Sequence, residues 1–86
     1  MNLKWKLRWS PLAAREFSNL DRAVAIQITK KIEQAAQNPA HYFKRLVDRE
    51  EYKLRIGDYR VIVFLNHSDN TVQIQRIGHR KNIYDL

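Results

Sequence analysis

The stretch RIGHRKNIY, residues 76–84, sets Arg76, His79, Arg80 and Lys81 close together and follows them with Tyr84. A second basic run, YKLRIGDYRVIVF at 52–64, carries Lys53, Arg55 and Arg60 and ends on Phe64. Guanidinium forks grip the non-bridging oxygens of a phosphate and stay charged at any physiological pH. Aromatic rings offer a face on which a base stacks. The chemistry open to this set is therefore the holding of a phosphodiester, with an amine, an imidazole and a phenol at hand for proton transfer. His41 and His67 have no spacing partner, and the chain has no Cys, so no metal or other cofactor is expected.

Those groups work together only if the fold gathers them. In the first strand, Leu3, Trp5, Leu7 and Trp9 alternate with Lys4, Lys6 and Arg8, a period of two with one apolar face and one cationic face. Both tryptophans share the apolar parity and are expected in the core. Ser10-Pro11 reads as the cap and first position of a helix bearing Ala13, Phe17 and Leu20. From about Asp21 a second helix places Val24, Ile28, Ile32 and Ala36 on one stripe and stops before Asn38-Pro39. The period returns to two over 52–56 and 59–66, flanking Gly57-Asp58 as a two-residue hairpin loop, and again over 71–77. Segment 39–51 stays open between a loop and a short extra strand. The expected fold class is α+β: an N-terminal strand, a helical hairpin, then an antiparallel meander forming one twisted sheet with the helices packed on one face.

A turn at Gly57-Asp58 sets Arg55 against Arg60 and Leu54 against Val61, so Leu54, Ile56, Tyr59, Val61, Val63 and Leu65 face the core. Lys53, Arg55 and Arg60 then crowd the other face with Ile62 and Phe64. Like charges directly opposed weaken a sheet, so the cluster reads as an anion site; the blander alternative is that Glu50, Glu51 or Asp58 neutralises it. Continuing the meander across the loop 67–70 puts Ile77 near Arg60, so Arg80 and Tyr84 leave the sheet beside the cluster. His79 has the opposite parity to Arg80 if the strand persists. Tyr84 has a bland alternative as an aromatic cover for the core edge.

Composition bounds the rest. Eighty-six residues with 44% hydrophobic content make one domain, residues 1–86. No apolar run approaches a membrane span and Lys4, Lys6 and Arg8 interrupt any leader, so a soluble cytoplasmic protein is expected. A net charge of +7 favours phosphate polymers or an acidic protein.

With both basic motifs at this spacing, and with this order of elements over nearly the whole chain, the sequence resembles the RelE/ParE toxin superfamily of prokaryotic toxin-antitoxin systems. For RelE-like members the resemblance implies a metal-independent endoribonuclease, an mRNA interferase that cleaves mRNA in the ribosomal A site. It also implies a cognate antitoxin, expected to be acidic, that wraps the toxin in a hetero-oligomer and blocks it. Carried over by position, Lys53, Arg55, Arg60, Arg80 and Tyr84 match the family's functional positions, with His79 and Lys81 beside them. Glu51 stands where some relatives have a first lysine, and with only two residues after Tyr84 no long terminal helix is expected to anchor the phenol.

RNA supplies its own nucleophile. The 2′-OH attacks the adjacent phosphorus if a base takes its proton, donors stabilise the phosphorane, and an acid protonates the 5′ oxygen. Catalytic roles are expected for Lys53 as base, Arg60 and Arg80 as stabilisers, and Tyr84 as acid, because Arg holds its proton too tightly to donate it. His79 is an acid–base alternative by type. Arg55, Phe64, His79 and Lys81 are the expected RNA-binding residues, and Lys4, Lys6 and Arg8 either meet ribosomal RNA backbone or form a solvated edge. The ParE branch acts on DNA gyrase without this polar set, so a non-enzymatic gyrase inhibitor is the alternative function, and an inactive toxin-fold corepressor a further one.

Overall fold

The computed structural model describes residues 4–83. Strand β1 (Lys6–Trp9) is followed by helices α1 (Pro11–Ser18), α2 (Arg22–Ala36) and α3 (Pro39–Tyr42), and then by strands β2 (Lys44–Arg45), β3 (Tyr52–Ile56), β4 (Tyr59–Asn66) and β5 (Thr71–His79). Helix α1 starts as its sequence requires: Ser10 is extended, Pro11 occupies the first turn, and Ser10 Oγ accepts the Ala13 N–H at 2.9 Å. Such a cap contributes about 1 kcal/mol. The same hydroxyl donates to the Gln75 carbonyl at 2.9 Å, so the residue that starts α1 also ties it to β5. Helix α2 buries Ile28, Ile32, Ala35 and Ala36 along its apolar stripe and ends before Pro39.

The sheet has five strands in the order β1-β5-β4-β3-β2. Its meander is antiparallel, with Arg55 opposite Arg60 and Leu54 opposite Val61 as the Gly-Asp turn dictates. Gly57 sits at φ +56°, the left-handed value that the first position of such a turn needs. The unreadable segment 39–51 holds α3 and the short strand β2, which pairs Lys44 with Lys53. Strand β1 differs from the rest by running parallel to β5, from Lys6↔Thr71 to Trp9↔Ile74. Alternation in a sequence reveals which face is buried, and it is silent about partner and direction.

The principal core lies between the sheet and the helices, where Ile28 and Ile32 meet Leu54, Val61, Val63 and Ile74. Trp5 packs against it half-buried. Trp9 corrects the expectation of a core residue: it is 37% exposed and touches Phe17 edge-on, because β1 is an edge strand and the chain turns away at Ser10. Lys4, Lys6 and Arg8 are exposed, and Leu3 lies outside the described residues. A second, smaller apolar cluster joins Leu46, Ile62 and Ile83; Ile62 has the opposite parity to Val61 and Val63, which places this cluster on the sheet face away from the helices.

Strand β5 carries a bulge. Ile62 pairs with Arg76 but Val63 with Ile74, so Gln75 is surplus. The added residue lets Ile74 and Ile77 both reach the core although they are three apart. Just past the end of β1, Glu16 of α1 accepts from Arg76 Nε at 3.1 Å, Arg76 Nη2 at 2.8 Å and the Ile77 N–H at 2.8 Å. Helix α1 thereby covers the stretch of β5 edge that β1 leaves open. Among the described residues, no helix is long and apolar enough to cross a membrane.

Candidate nucleic-acid interface

Strand alternation and the turn assemble the cluster from local sequence. Lys53, Arg55 and Arg60 project from the face opposite the helices, and β2 adds Lys44 directly beside Lys53. Nothing in the sequence marks Lys44, because two residues of strand inside an irregular segment leave no periodic signal. Between Arg55 and the end of β5, Arg60 occupies the central strand and pairs with Gly78 rather than Ile77. The regular register expected from the sequence is overturned here by one position, and the cause is the bulge at Gln75, which advances everything after it.

Arg60 is only 8% exposed. Its Nη1 donates to the carbonyls of Gly57 and Tyr59, each at 2.9 Å, so the guanidinium folds back over the hairpin turn and fixes it. Among the described residues no carboxylate lies within ion-pair distance of Arg60. Of the carboxylates that could neutralise the cluster, Glu51 meets Arg49 at 3.5 Å, whereas Asp58 meets Arg80, itself an expected site cation, at 3.5 Å. A guanidinium whose Nη1 is spent on carbonyls keeps its Nε and Nη2 donors for an anion.

The chain end returns to the same region. The Arg80 N–H donates to the Asp58 carbonyl at 2.7 Å, tying the segment after β5 to the β3–β4 turn. Arg80 is exposed, and its ion pair with Asp58 is held loosely at that tip. The Asn82 and Ile83 N–H groups then bond the His79 carbonyl, and this single turn carries Ile83 back over the sheet. Ile83 lies against Gly78, the partner of Arg60: a Cβ on Gly78 would meet Ile83 Cγ1 at 2.8 Å. The polypeptide thus crosses the basic face next to Arg60 at residue 83. Tyr84, the expected acid, lies outside the described residues.

Other expected site residues are dispersed. His79 pairs with Tyr59 and meets its ring edge-on at 5.3 Å, on the core side of the sheet, while its Nδ1 accepts the Lys81 N–H at 3.1 Å. It holds the start of the terminal turn, on the other face from Arg60. Lys81 is exposed in that turn. Phe64 shares the face of Arg60 by parity but sits four residues along β4, about 13 Å away at the usual rise per residue. Arg76, a cation of the tail motif, belongs to the scaffold: the Glu16 hydrogen bond holds its guanidinium above its ordinary pKa, against the opposing pull of burial. No group of His, Asp and Glu among the described residues is arranged to hold a metal.

The family model described as the ParE toxin of type II toxin-antitoxin systems, parDE, matches residues 7–84. No curated protein sequence matches significantly. Among solved structures, the toxin-antitoxin complex RelBE2 from Mycobacterium tuberculosis superposes with a TM-score of 0.81 at 20% identity, over 91% of this chain and 100% of that one. The intact Escherichia coli RelBE toxin-antitoxin complex gives 0.75 at 22% identity, over 87% and 95% of the two chains. The YoeB dimer from Staphylococcus aureus gives 0.69 at 16% identity, over 91% and 99%.

Proposed function

Given that the chain belongs to the ParE toxin family of type II toxin-antitoxin systems, within the RelE/ParE superfamily, we propose that it acts as a ribosome-dependent, metal-independent endoribonuclease that cuts mRNA in the A site and so stops translation. The observation that carries this reading is the row Arg55, Arg60, Gly78. It sets a buried guanidinium, with no carboxylate paired to it among the described residues, on the face away from the helices, with Lys53 and Lys44 alongside and Ile83 laid next to it.

In this reading Arg60, fixed by the turn carbonyls, and Arg80, released from its loose pair with Asp58, stabilise the charge that develops on the phosphorane oxygens. Lys53 takes the 2′-OH proton, and Tyr84, following Ile83, returns one to the 5′ oxygen. Arg55 and Lys44 hold flanking phosphates. Phe64, too far from Arg60 to touch the same nucleotide, stacks a base further along the strand, and Lys81 screens backbone charge at the tip. The partner that restrains the toxin is a cognate antitoxin, whose acidic side chains complement this face.

The test is translation of a defined mRNA on purified ribosomes with the wild-type chain and with Arg60→Ala, Arg80→Ala and Tyr84→Phe. The expected result is a transcript cut by wild type and intact with Arg60→Ala; arrest with the transcript intact throughout would eliminate the nuclease. A second reading, non-enzymatic inhibition of DNA gyrase, is favoured by the match to the ParE description itself. A supercoiling assay separates the two: inhibition by wild type and by Arg60→Ala alike would select gyrase.

A further inference from the structure

The cluster around Arg60 does not absorb all the concentrated positive charge. A second site lies around the edge of the sheet, where a cleft of about 570 Å³ opens between α2 and the turn end of β3. Gln27, Lys30, Lys31 and Gln34 line it from the helix, and Arg55, Ile56 and Gly57 from the strand. Strand β2 reaches only as far as Lys44, opposite Lys53, so beyond that pair β3 has no strand partner on its outer side among the described residues. Arg55 stands one pair in from the two-residue turn, which is a non-hydrogen-bonded position, so its backbone N–H and C=O point outward along this free edge. Lys31, which lines the cleft, has its Nζ 5.1 Å from the ring centroid of Tyr42 in the adjoining groove.

We propose that this cleft seats the phosphodiester backbone of an RNA strand flanking the segment held at Arg60. Lys30 and Lys31 would neutralise phosphates, and the amides of Gln27 and Gln34 would donate to phosphate and sugar oxygens. The lining favours nucleic acid over an acidic protein. Phosphate and sugar contacts come from Lys, Arg, Gln and backbone N–H groups, whereas protein interfaces deplete lysine and need apolar or aromatic anchors. The exposed apolar surface of α2, at Ile26, belongs to a different groove shared with Phe17 of α1. Continuity supplies the second argument. Arg55 both lines the cleft and faces Arg60 across the hairpin, so one strand of RNA passing Arg55 meets both sites. These residues position substrate; they take no part in bond making.

The proposal rests on RNA being the target, and the experiment separates the two ideas. Binding of a single-stranded RNA oligonucleotide carrying 2′-O-methyl groups, which cannot be cut through its 2′ oxygen, is followed by fluorescence anisotropy across a salt series. Wild type is compared with Lys30→Gln/Lys31→Gln, with Lys30→Arg/Lys31→Arg as rescue, and with Arg15→Ala/Arg22→Ala as a control of equal charge loss; thermal melts establish that each is folded. The cleft variant is expected to lose roughly tenfold in affinity and to flatten the salt slope by about 1.4, two phosphate contacts at about 0.7 each, with the arginine pair restoring both. On ribosomes, its KM for mRNA should rise with little change in kcat. An affinity loss no larger than that of the control, or an unchanged salt slope, overturns the proposal even if wild type cuts mRNA. Loss of binding to a Glu-rich helical peptide with RNA binding intact assigns the cleft to a protein partner and overturns it too. Wild type that binds RNA through the cleft but cuts nothing sinks the nuclease reading and leaves the cleft standing.

Discussion

Arg60 performs two tasks with one side chain, and its variants separate them. Replacing it by Ala removes two hydrogen bonds to turn carbonyls and a buried cation. Stability should fall by about 1 to 3 kcal/mol, read as a lowered denaturation midpoint. Cleavage on the ribosome should fall by about a hundredfold or more, the usual cost of removing one preorganised donor to a developing anion. Arg60→Lys keeps the charge but has no planar fork, so it should restore part of the stability and little of the rate. Arg80 gives the opposite pattern. Its pair with Asp58 is exposed and long, and such pairs contribute at most about 1 kcal/mol. Arg80→Ala should therefore lose cleavage while its melting temperature scarcely moves; an equal loss of both would return Arg80 to a structural role.

At the scale of elements, the hairpin, the bulge and the terminal turn decide which side chains meet. Gly78→Ala would push a methyl into Ile83 and lift the chain end from the basic face. It should cost about 1 to 3 kcal/mol, as overpacking does, and it should lower cleavage more than any other substitution that touches no phosphate. Glu16→Gln weakens the ties of α1 to Arg76 and Ile77 and should cost about 1 to 2 kcal/mol, allowing for the partial exposure of both partners. Because Glu16 raises the Arg76 pKa, that side of the interaction is fully present below the unfolded value and fades only as pH climbs through the higher folded one. Urea midpoints of wild type and Glu16→Gln should thus keep a constant gap from neutrality up to mildly alkaline pH. These elements also mark how far the sequence could be read. The Ser10-Pro11 cap, the α2 stripe and the Gly57-Asp58 register follow from local chemistry and hold in the structure. The partner of Arg60 departs by one position from the regular register because a bulge has no local signature in QIQRI, and Lys44 gives no signal because a two-residue strand spans a single period.

Across the whole molecule, two neighbouring basic surfaces share the β3 edge, one around Arg60 and one along α2, while Lys4, Lys6 and Arg8 lie exposed at the opposite edge of the sheet. A chain of net charge +7 should bind single-stranded RNA with a steep salt dependence. A cognate antitoxin should flatten that dependence by occupying the same cations, and anisotropy titrations with and without the antitoxin would show it. Expression without the antitoxin should slow growth, and unimpaired growth would instead favour a fold kept for corepression. The surplus residue in β5 bears on all of this. Were the strand regular, Arg76 would stand opposite Val61 inside the apolar core and Ile77 would emerge next to Arg60; with Gln75 inserted, the pattern is rephased so that a glycine comes there instead. The aim of the terminal segment is therefore set by a one-residue offset halfway along a strand, and the same offset keeps a cation out of the hydrophobic interior, so neither can be altered without the other.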